Sequence, residues 1–329
     1  MSRPLLRVGA LLSLTGRFAR FGRQAAAGLR AWARLTDRVE IVVEDDESDK
    51  DRVRSGIVGL SRRCDLLLGP YSTLLVREVA AIAPDLDTLV WNHGGSGDDV
   101  QAAAPPGHVV SVLTPTSRYA DSFVRLLAGI PERRALALAQ GRGSFARQVV
   151  AGARAAAERE GMPTIRLDND SVPSVPFDLF SAGTFEDDVA LITAALGWGR
   201  RPRMVGSVAA GVREFGEVVA ASDGVIGVAQ WFPGRTTMVD VGPTEEEFLA
   251  AYRGGTPDYP AVQAVAAAAL ALHCAVGAGS TSRVDMWSTA ANTTATTLFG
   301  DFSVNPTTGA QVGHRMALVR WLNGRPHEL

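Results

Sequence analysis

Four short stretches hold residue types whose spacing could do chemistry. In LALAQGRGSFA, Gly141, Gly143 and Ala146 follow a strand as GxGxxA and open a helix, the pattern that seats a pyrophosphate on a helix N-terminus. It begins the second half of the chain, however, and Asp168, the acid a dinucleotide ribose would need, stands too far on. Ser96 in GGSGDD offers a hydroxyl, but the sequence is not GxSxG and no helix start follows at once. The residues Glu44, Asp45, Asp46, Glu47 and Asp49 could offer oxygens to a hard cation, yet they lack the alternation and glycine of a calcium loop. A solvated loop running into a helix N-terminus accounts for them better. In GPYST, Ser72 and Thr73 start a helix whose free N–H groups suit a carboxylate and equally suit plain N-capping. Of the histidines at 93, 108, 273, 314 and 327, none sits in a recognisable local motif. Only His93 lies in a site-like loop, where a pocket-lining or conformational role fits it better than that of a base.

These stretches sit at the ends of predicted strands. Strands are expected at 8–13, 39–43, 65–68, 88–91 and 108–113, with amphipathic helices between them. The first helix, from Gly22, sets Ala25, Leu29, Trp32 and Ala33 on one face. Continuous apolar strands separated by such helices make a parallel sheet covered on both faces, with ligands bound beyond the carboxyl ends of the strands. GPYST and WNHGGSG fall at two adjacent strand ends and are placed to share a site. From Tyr119 the pattern restarts, with strands at 135–139, 164–167, 178–183, 204–208 and 224–229 and helices at 145–160 and from Glu186. Helices at 244–253, 259–278 and 283–298 then follow without strands, and the final segment reads as two strands around an Asn-Pro/Gly turn.

Composition narrows the classes. A chain of 329 residues exceeds one core, so two domains are expected. The net charge of −2, spread along both halves, leaves no basic stripe for a phosphate backbone, and nucleic acid is not an expected partner. Lys50 is the only lysine among the basic residues. Cys64 and Cys274 have no metal-ligand spacing and read as buried thiols. The opening MSRPLLRVGALLSLTG reads as a strand rather than a secretion signal, and the alanine-rich run near 262–279 as a buried helix rather than a membrane span. No cofactor is expected.

In this order, GALLSLTGRFARFG, EDDESD, LLLGPYST, LVWNHGGSG, DGVIGVAQWFP, DYPAVQAVAAAAL and FGDFSVNPTTGAQ resemble the type I periplasmic solute-binding proteins of the leucine/isoleucine/valine-binding kind. That superfamily also includes amide-sensing cytoplasmic regulators. The resemblance spans nearly the whole chain and implies an α/β fold of two Rossmann-like lobes with parallel sheets, joined by a three-crossover hinge. Lobe one would be 1–116 plus 238–301 and lobe two 117–237 plus 302–329. The implied function is non-catalytic: a receptor of an ABC-type uptake system that closes on a branched-chain or similar amino acid, or a small amide. An intracellular amide or amino-acid sensor is the alternative. The partner would be an ABC permease if the chain is exported, which places it in the periplasm, and a regulatory protein if it is cytoplasmic.

The same resemblance assigns a site. Thr73, Gly94 and Ser96, with Ser72 and Gly95 adjoining, would hold the ligand carboxylate, the glycines letting the backbone come close. Asp223 in SDGVIG would take the ammonium, although Asp is shorter than the family's Glu. Phe21, Tyr71, Phe145 or its neighbour Ser144, Thr184 or Phe185, Trp231 and Tyr259 would form the walls. Asn92 and His93 stand where the family has a Thr-Pro type sequence and would change the pocket's chemistry. The stretch between Gly161 and Asp178 lacks a helix that the family carries.

Overall fold

The computed structural model describes residues 5–37, 39–167 and 172–329, so Asp168 lies outside the described residues. The chain divides into two compact units, residues 1–114 with 233–314 and residues 115–232 with 315–329. It therefore passes between them three times.

Unit 1 begins β1 (Leu6–Leu12), α1 (Ala19–Leu35), β2 (Val39–Asp45), α2 (Lys50–Ser61), β3 (Leu66–Leu68), α3 (Thr73–Ile82), β4 (Val90–Asn92) and β5 (Val109–Ser111). The strands form one parallel sheet in the order β2-β1-β3-β4-β5. Burial on both faces explains why β1 and β3 read as unbroken apolar runs. On one face Leu11, Leu67 and Val90 pack with Val53, Ile57 and Leu60 of α2 and Leu75 and Val79 of α3. On the other lies α9 (Tyr259–Ala278), packed against α1, β3 and β4. By length and composition α9 could cross a membrane, with a mean hydropathy of 1.8, but 72% of that stretch is buried inside the fold. It is a core helix, capped by Asp258, whose side chain accepts from Tyr259 N–H, and closed by Gly279 in the left-handed region. The helices α8 (Glu245–Ala251) and α10 (Arg283–Asn292) complete this cover, α8 against α1 and α10 against α9.

Unit 2 holds α4 (Asp121–Ala128), β6 (Ala135–Gln140), α5 (Gly143–Arg159), β7 (Thr164–Arg166), β8 (Phe177–Ala182), α6 (Phe185–Leu196), β9 (Val205–Ser207), α7 (Phe215–Val218) and β10 (Ile226–Ala229). Five parallel strands run in the order β10-β9-β8-β6-β7. An antiparallel hairpin, β13 (Ala317–Leu322) and β14 (Arg325–Glu328), extends the sheet beyond β10, so this sheet is mixed.

Three expectations differ from the structure. The two strands read around the Asn-Pro/Gly turn are reduced to an isolated bridge between Val304 and Gln311, and the final hairpin turns instead at Asn323 and Gly324. The helix read over 283–298 stops at Asn292, and Ala295–Thr297 forms β11, paired antiparallel with β12 (Gly300–Phe302). The β-branched run Thr293, Thr294, Thr296, Thr297 has stiff side chains that favour the extended chain. Residues 115–116, assigned by resemblance to the first lobe, fall in unit 2, and 233–237 and 302–314, assigned to the second, fall in unit 1. There Ser111 N–H donates to Gly309 O at 3.0 Å, Gln311 Nε2 donates to Val112 O at 3.0 Å, and Thr114 Oγ1 lies 2.6 Å from His314 Nδ1. Those bonds pin 302–314 to β5 and the chain that follows it.

Unit 2 contains a buried ion pair: Arg203 donates through Nε to Asp178 Oδ1 at 2.9 Å, and Asp178 is fully buried. Removing the cation alone leaves a carboxylate uncompensated, so Arg203→Met is expected to cost about 3–5 kcal/mol. Urea unfolding measures this, and a loss below about 1 kcal/mol would contradict the pairing.

Candidate functional site

At the carboxyl edge of the unit 1 sheet, the loops after β1 and β2 are tied into one body. Asp45 accepts from Leu14 N–H at 2.9 Å, Glu47 N–H at 2.9 Å and the Thr15 hydroxyl at 2.8 Å. Burial opposes its charge, but these bonds outweigh it and hold its pKa below the ordinary value. Asp46 is fully buried, accepts from the Ser13 hydroxyl at 2.6 Å and Ser48 N–H at 2.7 Å, and has its pKa raised by burial. Ser48 in turn donates to Thr15 O at 2.9 Å and accepts from Phe18 N–H at 3.0 Å. Asp45 and Asp46 thus form a brace that fixes where α1 begins, while Glu47 and Asp49 are exposed and Asp49 caps α2, as expected of a loop running into a helix N-terminus. Among the described residues, no group of three or more His, Cys, Asp or Glu is placed to hold a metal ion.

The brace delivers Phe18 and Phe21 to an aromatic cluster. Phe21 stacks on Tyr71 with ring centroids 4.2 Å apart and planes 10° apart, and Phe18 meets Tyr71 at 6.0 Å. The Tyr71 and Tyr259 hydroxyls are 2.7 Å apart. Burial pushes the Tyr71 phenol up to about 12, so it stays protonated and able to donate. The guanidinium groups of Arg17 and Arg20 lie over the Phe18 and Phe21 rings at 4.6 and 4.8 Å.

Tyr71 is positioned by the loop after β4. Asn92, fully buried, donates to Gly95 O and to Ser111 Oγ, each at 2.7 Å, and accepts from Gly94 N–H at 3.1 Å and Gly95 N–H at 2.8 Å. Ser72 N–H donates to Gly94 O at 3.0 Å, holding Ser72 at φ 86°, a strained conformation for a non-glycine residue. A Cβ on Gly94 would lie 2.5 Å from Pro70 O and 2.6 Å from Tyr71 Cα, and one on Gly95 would lie 2.8 Å from Val76 Cγ2. The glycines therefore admit the neighbouring loop and helix, and their N–H groups are spent on Asn92. This corrects the expectation that Gly94, Gly95 and Asn92 face the ligand. His93 is fully buried, and neither ring nitrogen meets a hydrogen-bond partner. Burial drives its pKa down to about 4.

Ser72 also caps α3, accepting from Leu75 N–H, and Thr73 Oγ1 accepts from Gly97 N–H at 2.9 Å. The Thr73 hydroxyl proton is left for another acceptor, beside the first turn of α3. Ser96 is part-buried and hydrogen-bonded within the fold. Phe21, Tyr71 and Tyr259, with Ser72 and Thr73 adjoining, are thus the expected residues that unit 1 brings together.

In unit 2, Thr184 is engaged as the cap of α6 in a capping box with Asp187, while Phe185 packs on the core. Phe145 lies edge-on to Tyr119 at 5.7 Å, and Ser144 is exposed. Gln140 and Ala182 end adjacent strands, so the loops carrying Phe145 and Thr184 share one edge of the sheet. Arg142, which the sequence gave no reason to single out, donates through Nη2 to Asp187 at 2.9 Å and holds that carboxyl down at about 2. Trp231 follows β10 at the same edge, 7% exposed, with its indole N–H unpartnered. Asp223 does not belong with them. It precedes β10, at the opposite edge of the sheet, and accepts from Asn323 N–H at 2.7 Å in the β13–β14 turn. A carboxylate there cannot take the ammonium of a ligand bound beyond the strands' carboxyl ends.

Residues 6–326 match the family model described as periplasmic binding protein. The chain belongs to the periplasmic binding protein family. Solved structures of such binding proteins share its fold. A putative branched-chain amino acid ABC transporter protein from Rhodospirillum rubrum is 17% identical, over 98% of this chain and 99% of that one, with a TM-score of 0.79. The solute binding protein of an ABC transporter from Rhodopseudomonas palustris, in complex with p-hydroxybenzoic acid, is 16% identical over 98% and 96%, with a TM-score of 0.78. A leucine binding protein from Thermotoga maritima is 15% identical over 98% and 97%, with a TM-score of 0.75. Identities this low carry the fold of this periplasmic binding protein and not its ligand. No curated protein sequence matches the chain.

The buried His93 makes stability depend on pH. Its folded pKa of about 4 lies below the ordinary 6.5, so between those values the unfolded chain binds a proton that the folded chain does not. Its contribution is fully present above the upper value and is lost as pH falls toward the lower, by up to ~1.4 kcal/mol per pH unit. Urea unfolding at about pH 5 and about pH 6.5 should therefore show a smaller pH dependence for His93→Gln than for the parent protein. Equal dependence in both would contradict a neutral buried imidazole.

Proposed function

We propose that the protein is a non-catalytic solute-binding receptor of an ABC-type uptake system in the periplasm, and that its solute is a small organic acid, either an amino acid or an aromatic acid. The observation that carries the reading is the braced aromatic cluster Phe21, Tyr71 and Tyr259 at the carboxyl edge of unit 1, with the Thr73 hydroxyl and the start of α3 beside it. Rings supply apolar area and the helix start supplies donors for a carboxylate. Relatives of the fold described as binding leucine or p-hydroxybenzoic acid support both classes of solute. The reading includes closure of the two units on the solute, which shifts the population toward the closed state because contacts are added only there. A membrane permease would read that state. The intracellular-sensor reading gains nothing from these relatives.

Calorimetric titration against amino acids and aromatic acids tests the proposal. For whichever solute binds tightest, Phe21→Ala is expected to weaken affinity by at least about tenfold. Asp223→Ala, at the far edge of its sheet, should leave it within about twofold. Binding that depends on Asp223 and ignores Phe21 would overturn this placement of the site.

A further inference from the structure

We infer that unit 1 carries a second binding site, apart from the solute surface, for an organic cation with an apolar body, such as an aralkylamine. A cavity of about 500 Å³ opens between α1, α9 and the chain that leads into α8. That volume falls within the range of small-molecule sites, about 300–1,000 Å³. It lies at the far end of the unit from the aromatic cluster. The helix α1 starts at the carboxyl edge of the sheet with Phe21, and its last residue, Leu35, leads back to the start of β2. The helix α9 runs the same way, from Tyr259 toward His273 and Val276 at the cavity. Along both helices the cluster and the cavity are roughly 15–20 Å apart, at 1.5 Å per residue.

Two independent features point to a ligand, open apolar surface and acidic surroundings. Trp32 and Leu35 of α1 and Leu272 and Val276 of α9 form the apolar side, and Leu35 and Val276 stay 43% and 45% exposed. Apolar side chains left open inside a concave surface gain by being covered with hydrocarbon. The opposite wall is preformed. Gly242, at φ 96°, lets the 240–243 loop reach α9, since a Cβ there would lie 2.9 Å from the Ala269 Cβ. Asp240 N–H donates to Thr296 O and Thr296 N–H donates to Asp240 Oδ2, each at 2.8 Å, which ties the loop to β11. The charged groups around the cavity are Asp37, Asp240 and Glu247, and His273 is the one basic side chain among the described residues that line it. Arg34, next to Leu35, donates instead to Ala251 O at 3.0 Å. The Thr244 N–H and hydroxyl both donate to Glu247 Oε2 at 2.9 Å, which holds that carboxyl below its ordinary pKa and leaves Oε1 for another donor. Among the described residues these carboxylates do not converge as a metal site would require. Spread round an apolar side, they match an ammonium carried on a hydrocarbon body.

The probes are 2-phenylethylamine, charged at neutral pH, and its uncharged isostere 2-phenylethanol. Calorimetry on the whole protein at low salt should find the amine bound at least about tenfold tighter than the alcohol. The double variant Asp37→Asn with Glu247→Gln should lose at least about fivefold of the amine affinity. Both positions are exposed, and the amide at 247 can still accept from Thr244, so this variant is expected to fold, which circular dichroism checks. Phe21→Ala should leave the amine affinity within about twofold, because the aromatic cluster takes no part. No binding of the amine, or equal binding of the alcohol, would overturn the inference. So would an amine affinity that the double variant leaves unchanged. An affinity lost in Phe21→Ala would place the amine at the solute surface, overturning the second site and leaving the receptor reading standing.

Discussion

The approach of the β4 loop onto the Pro70–Tyr71 backbone is the contact on which the aromatic surface depends. Tyr71, stacked on Phe21, is followed by Ser72 at a positive φ, and the bond from Ser72 N–H to Gly94 O ties this turn to the β4 loop. Gly94 can come that close only without a Cβ, and Asn92 fixes the loop with one hydrogen bond to Gly94, two to Gly95 and a fourth to Ser111. Backbone strain of this kind costs roughly 1–3 kcal/mol and persists where the surroundings over-determine it. Here the surroundings are a buried amide that uses both its donors and its acceptor, so the bracket is fully satisfied.

The second support is the Asp45–Asp46 brace. Carboxyl groups that accept several N–H and O–H bonds are rigid anchors, and this pair joins the loops after β1 and β2 so that α1 begins at one place. Phe18 and Phe21 inherit their positions from it. A binding surface whose rings are fixed before the solute arrives loses less conformational entropy on binding.

Much of this was legible in the sequence. The strand–helix alternation, the pairing of the GPYST and WNHGGSG loops and the aromatic positions 21, 71 and 259 followed from periodicity and from the resemblance. What was not legible is where a polar side chain spends its hydrogen bonds. Asn92, Gly94 and Gly95 look alike on paper whether they face a solute or a neighbouring loop, and only the bonds Asn92 makes to the two glycines and the lack of room for a Cβ on either glycine decide between them. Asp223 was misplaced because SDGVIG marks a strand's start, while solutes bind at strand ends. Arg17 and Arg20 were passed over, although their spacing from Phe18 and Phe21 in RFARF was visible in the sequence. The segment 302–314 was given to the wrong unit because its bonds to 111–114 span about two hundred residues of sequence.

The most direct measurement is a crystal structure of the protein with the tightest-binding organic acid. The account predicts the solute's apolar body against Phe21, Tyr71 or Tyr259, ring centroids about 4.5–7 Å apart where it is aromatic, and its carboxylate at the start of α3. A solute found away from these rings, or one whose charged groups are met at Asp223, would contradict it.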